Sequence, residues 1–292
     1  MIKHIVINGG GPTGLISYGV LKHLHDKNYF DVNNIQSIYG TSIGGIFGVI
    51  LSLRYDWDTL DDYILKRPWE KIFKVQPEDF FNLFYSKGLF NFSIVEGMLS
   101  KLFDAKDLSL DITLQEFYEF TKITHHFFTV KADTLQLIDI SYKSHPNLLL
   151  IKALEMTTAI PIFSKPIFED NICYLDGGIL VNYPLKYCLE NEKCEKEEIL
   201  GVKNTYPIHT SKINEEMNLL EYLQNILGTI LDKIHEDCED NIPNEVKCYC
   251  DKNITNYQTW LNNLIEIDKR KELVEYGINC AEQFLEYQKQ LS

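Results

Sequence analysis

Twice in its first fifty residues the chain runs from a short apolar stretch through a glycine-bearing turn into a helical pattern, and this repetition constrains the fold more than any other feature. Ile5, Val6 and Ile7 are too few for a helix and are punctuated at once by Gly9, Gly10, Gly11 and Pro12. Apolar residues then recur at helical spacing (Leu15, Val20, Leu21, Leu24), with Gly14 opening that helix. After a polar break at Asp31 to Asn34, Ile35 to Tyr39 reads as a second strand, Gly40 to Gly44 as a tight turn and Ile43 to Leu53 as an apolar helix. Strand, helix and strand within about thirty residues make a βαβ crossover, which implies a parallel sheet with a right-handed connection.

The remaining pattern extends this plan. Residues 57–123 read as mainly helical and carry an aromatic block of Phe80, Phe81, Phe84, Tyr85, Phe90 and Phe92, expected to be core or else a wall around an acyl chain. His126 to Lys131 and Gln136 to Ile140 are strand-like around an Asp133-Thr134 turn, and Leu148 to Thr158 is a helix that stops before Pro161. Ile172 to Leu175 is a short strand delivering Asp176-Gly177-Gly178, and Glu198 to Lys203 is another strand. Beyond Lys212 come a helix from Met217 to Ile234, a strand at Val246 to Cys250 and a terminal helix from Tyr257 to Tyr287 that breaks near Asp268. With neither an internal repeat nor a low-complexity linker, the expectation is one α/β domain over 1–292, its core about 3–205 and a C-terminal helical extension about 212–292 packed on it.

Composition removes several function classes. A net charge of -14 repels a phosphate backbone, so no nucleic acid partner is expected. Seven cysteines, all beyond residue 172 and odd in number, fit a reduced chain better than a disulfide framework. The Cys248-x-Cys250 pair lacks a second ligand pair at zinc-site spacing and reads as ordinary thiols. Neither a leader pattern nor a run of roughly 18 apolar residues is present, so an intracellular chain, soluble or peripherally attached to a membrane, is expected.

Three glycine-bearing turns carry the chemistry. Gly9-Gly10-Gly11-Pro12-Thr13-Gly14 matches G-x-G-x-x-G, but a dinucleotide site also needs an acid at the end of the second strand, and that strand ends in Gly40-Thr41-Ser42 with Asp31 left in the loop before it. The same turn can instead present backbone N–H groups to an oxyanion at a helix N-terminus. Gly40-Thr41-Ser42-Ile43-Gly44 has the form G-x-S-x-G between strand and helix, where a serine at the apex of a strained turn exposes its Oγ. Asp176-Gly177-Gly178 supplies an acid at a strand end. If these strands are parallel, their carboxyl ends share one edge and the three turns meet in one crevice.

An oxyanion loop, G-x-S-x-G and D-G-G in that order resemble the patatin-like phospholipases, and Lys87-Gly-Leu-Phe90, Thr157-Thr-Ala-Ile-Pro161 and the helix around Glu275 to Leu285 are similar to further segments of that family. The resemblance implies a three-layer patatin-like fold, a central mostly parallel sheet flanked by helices. It also implies a lipid acyl hydrolase with a Ser-Asp dyad: Ser42 as nucleophile, Asp176 as proton acceptor, Gly9, Gly10, Gly11 and Gly14 as the oxyanion loop, Gly40 and Gly44 around the nucleophile, Gly177 and Gly178 beside the acid. Gly10 and Gly11 are the expected N–H donors, while Gly9 and Gly14 shape the turn. A lipid or phospholipid ester is the implied substrate, with no cofactor and no metal. One departure is Thr13, where the family usually has Arg or Lys. A Ser-His-Asp alternative leaves only His209 and His235 downstream of Asp176, and His4, His23, His25, His125, His126 and His145 are expected to be structural or exposed. A catalytically silent lipid-binding scaffold and a nucleotide-binding protein are the alternative readings.

Overall fold

The computed structural model of the chain describes residues 1–74, 85–90, 93–206, 213–234, 240–250 and 257–291. Its strands are β1 (His4–Ile7), β2 (Ser37–Thr41), β3 (Gly88–Phe90), β4 (Thr124–Lys131), β5 (Gln136–Ile140), β6 (Ile162–Ser164), β7 (Ile167–Glu169), β8 (Ile172–Asp176), β9 (Ile199–Thr205) and β10 (Glu245–Tyr249). Its helices include α1 (Gly14–Asp26), α2 (Ile43–Ser52), α3 (Trp57–Lys66), α4 (Ser93–Asp104), α5 (Leu114–Thr121), α6 (Leu150–Thr157), α7 (Leu185–Glu192), α8 (Leu219–Ile234), α9 (Tyr257–Ile265) and α10 (Ile267–Leu291).

The expected α/β architecture is present: one sheet in the order β10-β9-β1-β2-β4-β8-β7, with β5 also on β4 and β3-β6 forming a separate pair. β10, β9, β1, β2 and β4 run parallel. Because side chains alternate along a strand, β1 feeds two layers. Ile5 and Ile7 pack with Ile16, Val20 and Leu24 of α1 and with Ala281 of α10, while Val6 points to Leu185 and Cys188 of α7. All three β1 side chains are fully buried, each contributing roughly 1.5–3 kcal/mol of transfer free energy. A third cluster gathers around Phe47, Leu99, Phe103, Phe117 and Leu154.

The terminal helix is broken at Glu266, between α9 and α10, close to the expected Asp268. One element differs from the sequence reading: β8 is antiparallel to β4, so Asp176 is not delivered by a parallel strand. Its arrival depends on register. β5 pairs with Phe127 to Lys131 of β4, so β2 (on Thr124 to Phe128) and β8 (on Thr129 to Lys131) must both lie along the opposite edge of β4. They approach end to end: Thr41 stands opposite Phe128, and Asp176 stands opposite Thr129, the next residue.

Candidate active site

Ser42 follows Thr41 at the end of β2 and adopts φ 54, ψ -127 before α2 begins. A positive φ is rare for a residue with a Cβ and persists only where surrounding bonds hold it. Here the Ser42 N–H donates to Thr157 Oγ1 at 3.0 Å, and Thr157 Oγ1 donates to the Phe128 carbonyl at 2.5 Å. Gly45 N–H closes on the Ser42 carbonyl at 2.9 Å. The glycines at either side are demanded by crowding: a Cβ at Gly40 would lie 2.5 Å from Gly45 N, and one at Gly44 2.4 Å from the Ile7 carbonyl.

Asp176 is buried, 4 % exposed, and its Oδ1 accepts the Gly178 N–H at 2.6 Å. Its backbone N–H donates to the Ala159 carbonyl at 2.9 Å, so the segment Thr157 to Pro161 ties Ser42 and Asp176 together. Burial raises the Asp176 carboxyl to about 7, a rise moderated by hydrogen bonding from the Ser42 hydroxyl and the Gly178 N–H. Oδ2 is buried without a fully formed hydrogen bond among the described residues. The Ser42 hydroxyl is thus the polar group beside a carboxylate with capacity to spare.

The glycine loop lies where β1 ends. Gly10 and Gly11 take φ 146 and 57, which a side chain would strain. Gly9 N–H donates to the Asn182 carbonyl at 3.1 Å, and Gly14 N–H is directed back to the carbonyls of Gly11 and Pro12. Among the described residues the N–H groups of Gly10 and Gly11 carry no hydrogen bond, leaving these two as the available donors.

Thr13 has an unexpected partner. Its Oγ1 donates to the Gly10 carbonyl at 3.1 Å and lies 2.5 Å from the hydroxyl of Tyr206, which follows β9 at the same sheet edge. Asn204 Nδ2 donates to the Thr13 carbonyl at 3.0 Å. The phenol rests so close to Gly10 that a Cβ there would be 1.9 Å from it. Tyr206 therefore occupies space beside the loop and fixes it with neutral hydrogen bonds. Sequence reasoning missed it because only the β1–β9 pairing brings residue 206 to residue 13.

A pocket opens over Ser42 and Gly11, walled by Ile46, Phe73, Phe90, Val95, Met98, Phe163, Trp260 and Leu264. Among the described residues no charged side chain lines it. Trp260 of α9 caps the glycine loop, its Nε1 lying 2.4 Å from where a Gly11 Cβ would be, and it stacks within 5.4 Å of Phe90. Of the aromatic block, Phe90 is both core and pocket wall, Tyr85 is exposed, and Phe80, Phe81, Phe84 and Phe92 lie outside the described residues.

None of the described histidines lines this pocket. His125 bonds Ser52 and the Ile123 carbonyl, His126 bonds Asp139, and His4 bonds Ser37. His209 and His235 lie outside the described residues. Asp31 caps a short turn before β2 and accepts Asn33 N–H at 2.9 Å, at the end of that strand opposite the glycine loop, where it cannot hold a ribose bound there.

A mostly parallel sheet layered between helices, with a G-x-S-x-G turn, a buried acid and a glycine loop on one rim, defines a layered α/β protein. The sequence matches the description Patatin-like phospholipase over residues 5–189, and the chain belongs to that family. An uncharacterized protein, R571, of Acanthamoeba polyphaga mimivirus is 25% identical over 256 residues, covering 81% of this chain and 84% of its own. A probable lipid hydrolase, 463L, of Invertebrate iridescent virus 6 is 24% identical over 223 residues, 73% of each chain. Among solved structures, VipD from Legionella pneumophila superposes with a TM-score of 0.58 at 16% identity, over 98% of this chain and 67% of that one. The type III effector ExoU gives 0.52 at 12% identity, and this chain spans 54% of its length. Both share the fold.

Proposed function

We propose that this chain is a lipid acyl hydrolase acting through Ser42 and Asp176. The supporting observation is the pairing of a strained, pocket-facing serine with a fully buried acid held near neutrality. A carboxylate at its ordinary value is a weak base toward an alcohol, and raising it toward the working pH makes concerted proton transfer more effective. In this reading Ser42 Oγ attacks the ester carbonyl as its proton passes to Asp176. The developing oxyanion receives the N–H groups of Gly10 and Gly11, each such donor contributing about 3 kcal/mol. Asp176 returns the proton to the leaving alcohol, and water then attacks the acyl-serine, releasing a free fatty acid and regenerating Ser42.

The apolar side chains that wall the pocket suit an acyl chain, while family membership and the relative named as a probable lipid hydrolase support lipid as the substrate class. Peripheral contact with a lipid surface belongs to the same proposal. The test is ester hydrolysis with parallel fluorophosphonate labelling: Ser42→Ala is expected to lose both while keeping its far-UV circular dichroism. Labelling retained by that variant places the nucleophile elsewhere. Replacement of the family's usual cation by Thr13 favours a second reading, a lipid-binding scaffold without turnover, and hydrolysis by the native chain that vanishes in Asp176→Asn excludes it.

A further inference from the structure

At the opposite rim of the sheet, away from the pocket, His4 begins β1 beside Glu198, which immediately precedes β9. The short connection from α7 to β9 wraps around the imidazole and presents Cys194 and Glu198 to it. One donor atom from each of His4, Cys194 and Glu198 lies within 4.8 Å of the other two. We propose that these residues form a divalent-metal site and that its natural occupant is Zn²⁺.

Three features support the assignment. His4 is 3 % exposed, and its Nδ1 is engaged by Ser37 Oγ at 2.7 Å. Donation of the Nδ1 proton to Ser37 leaves the Nε2 lone pair as the free donor, the outer-shell arrangement that orients metal-binding histidines. Second, the donor set mixes thiolate, imidazole and carboxylate, which suits zinc better than the all-oxygen preference of Mg²⁺ or Ca²⁺. Third, charge is matched. Glu192 lies close enough to act electrostatically on His4, and Lys3 pairs with Oε1 of Glu198, leaving Oε2 for a metal. With Cys194 ionised, the two carboxylates and Lys3 leave the cluster with two net negative charges.

Binding forms a Zn–S bond as the Cys194 proton passes to water, and no electron is transferred. Tetrahedral zinc bonds of about 2.0–2.3 Å require the donors to close in by about 1 Å, a side-chain movement. A water completes four-coordination. Motif spacing did not reveal the site because its donors come from residues 4, 194 and 198, joined by the pairing of β1 with β9.

The experiment titrates the purified full chain with Zn²⁺ against a chromophoric chelator, and with Co²⁺ as a spectroscopic probe of thiolate ligation. One equivalent of Zn²⁺ and a thiolate-to-Co²⁺ charge-transfer band are expected. Cys194→Ser should abolish the band and weaken Zn²⁺ binding at least tenfold, and Glu198→Gln, in case the first variant folds poorly, should weaken it similarly. Ser42→Ala should bind as the native chain does, so the result is independent of the hydrolase reading. Substoichiometric binding by the native chain, or undiminished binding in folded Cys194→Ser or Glu198→Gln, overturns the proposal.

Discussion

Asp176 reaches Ser42 from the opposite direction: β8, which carries the acid, runs antiparallel to β4, and its last residue meets the end of β2 along one edge of that strand. The junction is set by a one-residue step, Thr41 opposite Phe128 and Asp176 opposite Thr129. Because a slip of one residue would turn the Asp176 side chain to the other face of the sheet, register fixes the placing of Asp176 beside Ser42 as firmly as the glycine turns do.

The acid should govern both activity and stability. With its carboxyl raised to about 7, kcat/KM for an ester substrate should rise with pH through about 7, as the base ionises, and then level. A flat profile from pH 5 to 8 would contradict this.

The same shift has a thermodynamic counterpart of opposite sense. A carboxyl whose folded value lies above its unfolded 3.8 favours the folded state when protonated, so its contribution is lost as pH rises between about 4 and 7. Asp176→Asn removes that loss. The variant should be inactive yet more stable than the native chain at pH 8, by at most about 4 kcal/mol, with the difference shrinking as pH falls toward 4. Urea unfolding at the two pH values measures it.

Strain at Ser42 is separable from its chemistry. Ser42→Gly and Ser42→Ala should both lack hydrolysis, but glycine accepts φ 54 without a Cβ penalty and should be the more stable of the two by about 1 kcal/mol. Equal melting temperatures would mean that the turn is not strained.

Tyr206 should act through the glycine loop without touching substrate. Removing its hydroxyl in Tyr206→Phe deletes the 2.5 Å contact to Thr13 and loosens the backbone that presents Gly10 and Gly11. The expected result is a kcat lower by about ten- to a hundredfold with KM within about twofold, since a misaimed oxyanion donor costs transition-state rather than ground-state binding. A change in KM alone would assign Tyr206 to substrate binding instead.

Thr157 braces the backbone at Ser42. Thr157→Val keeps the shape but leaves the Ser42 N–H and the Phe128 carbonyl without their shared hydroxyl, at a cost of about 1–3 kcal/mol each for a buried group. Thermal unfolding should show the loss, and fluorophosphonate labelling of Ser42 should slow.

Much of the fold was legible because its signals are local. Ile5 to Ile7 and Ile35 to Tyr39 are apolar runs bounded by glycines, and the strands found there, His4–Ile7 and Ser37–Thr41, differ only at their ends. The three turns were legible for the same reason, since glycines mark backbone that no other residue can follow. The broken terminal helix was also visible, displaced by two residues, because a helix end leaves only a weak imprint on an amphipathic pattern.

What the sequence determined alone was most of the elements, though not β3, β6 or β7, and the candidacy of Ser42, Asp176 and the glycine loop, encoded by periodicity and backbone permissiveness within a few residues. The tertiary structure decided the direction of β8, the partnership of Thr13 with Tyr206, the indole of Trp260 over Gly11 and the cluster of His4, Cys194 and Glu198. These relations span many tens to nearly two hundred and fifty residues of chain. They exist only once strand pairing has chosen an order, a direction and a register, which no local pattern specifies.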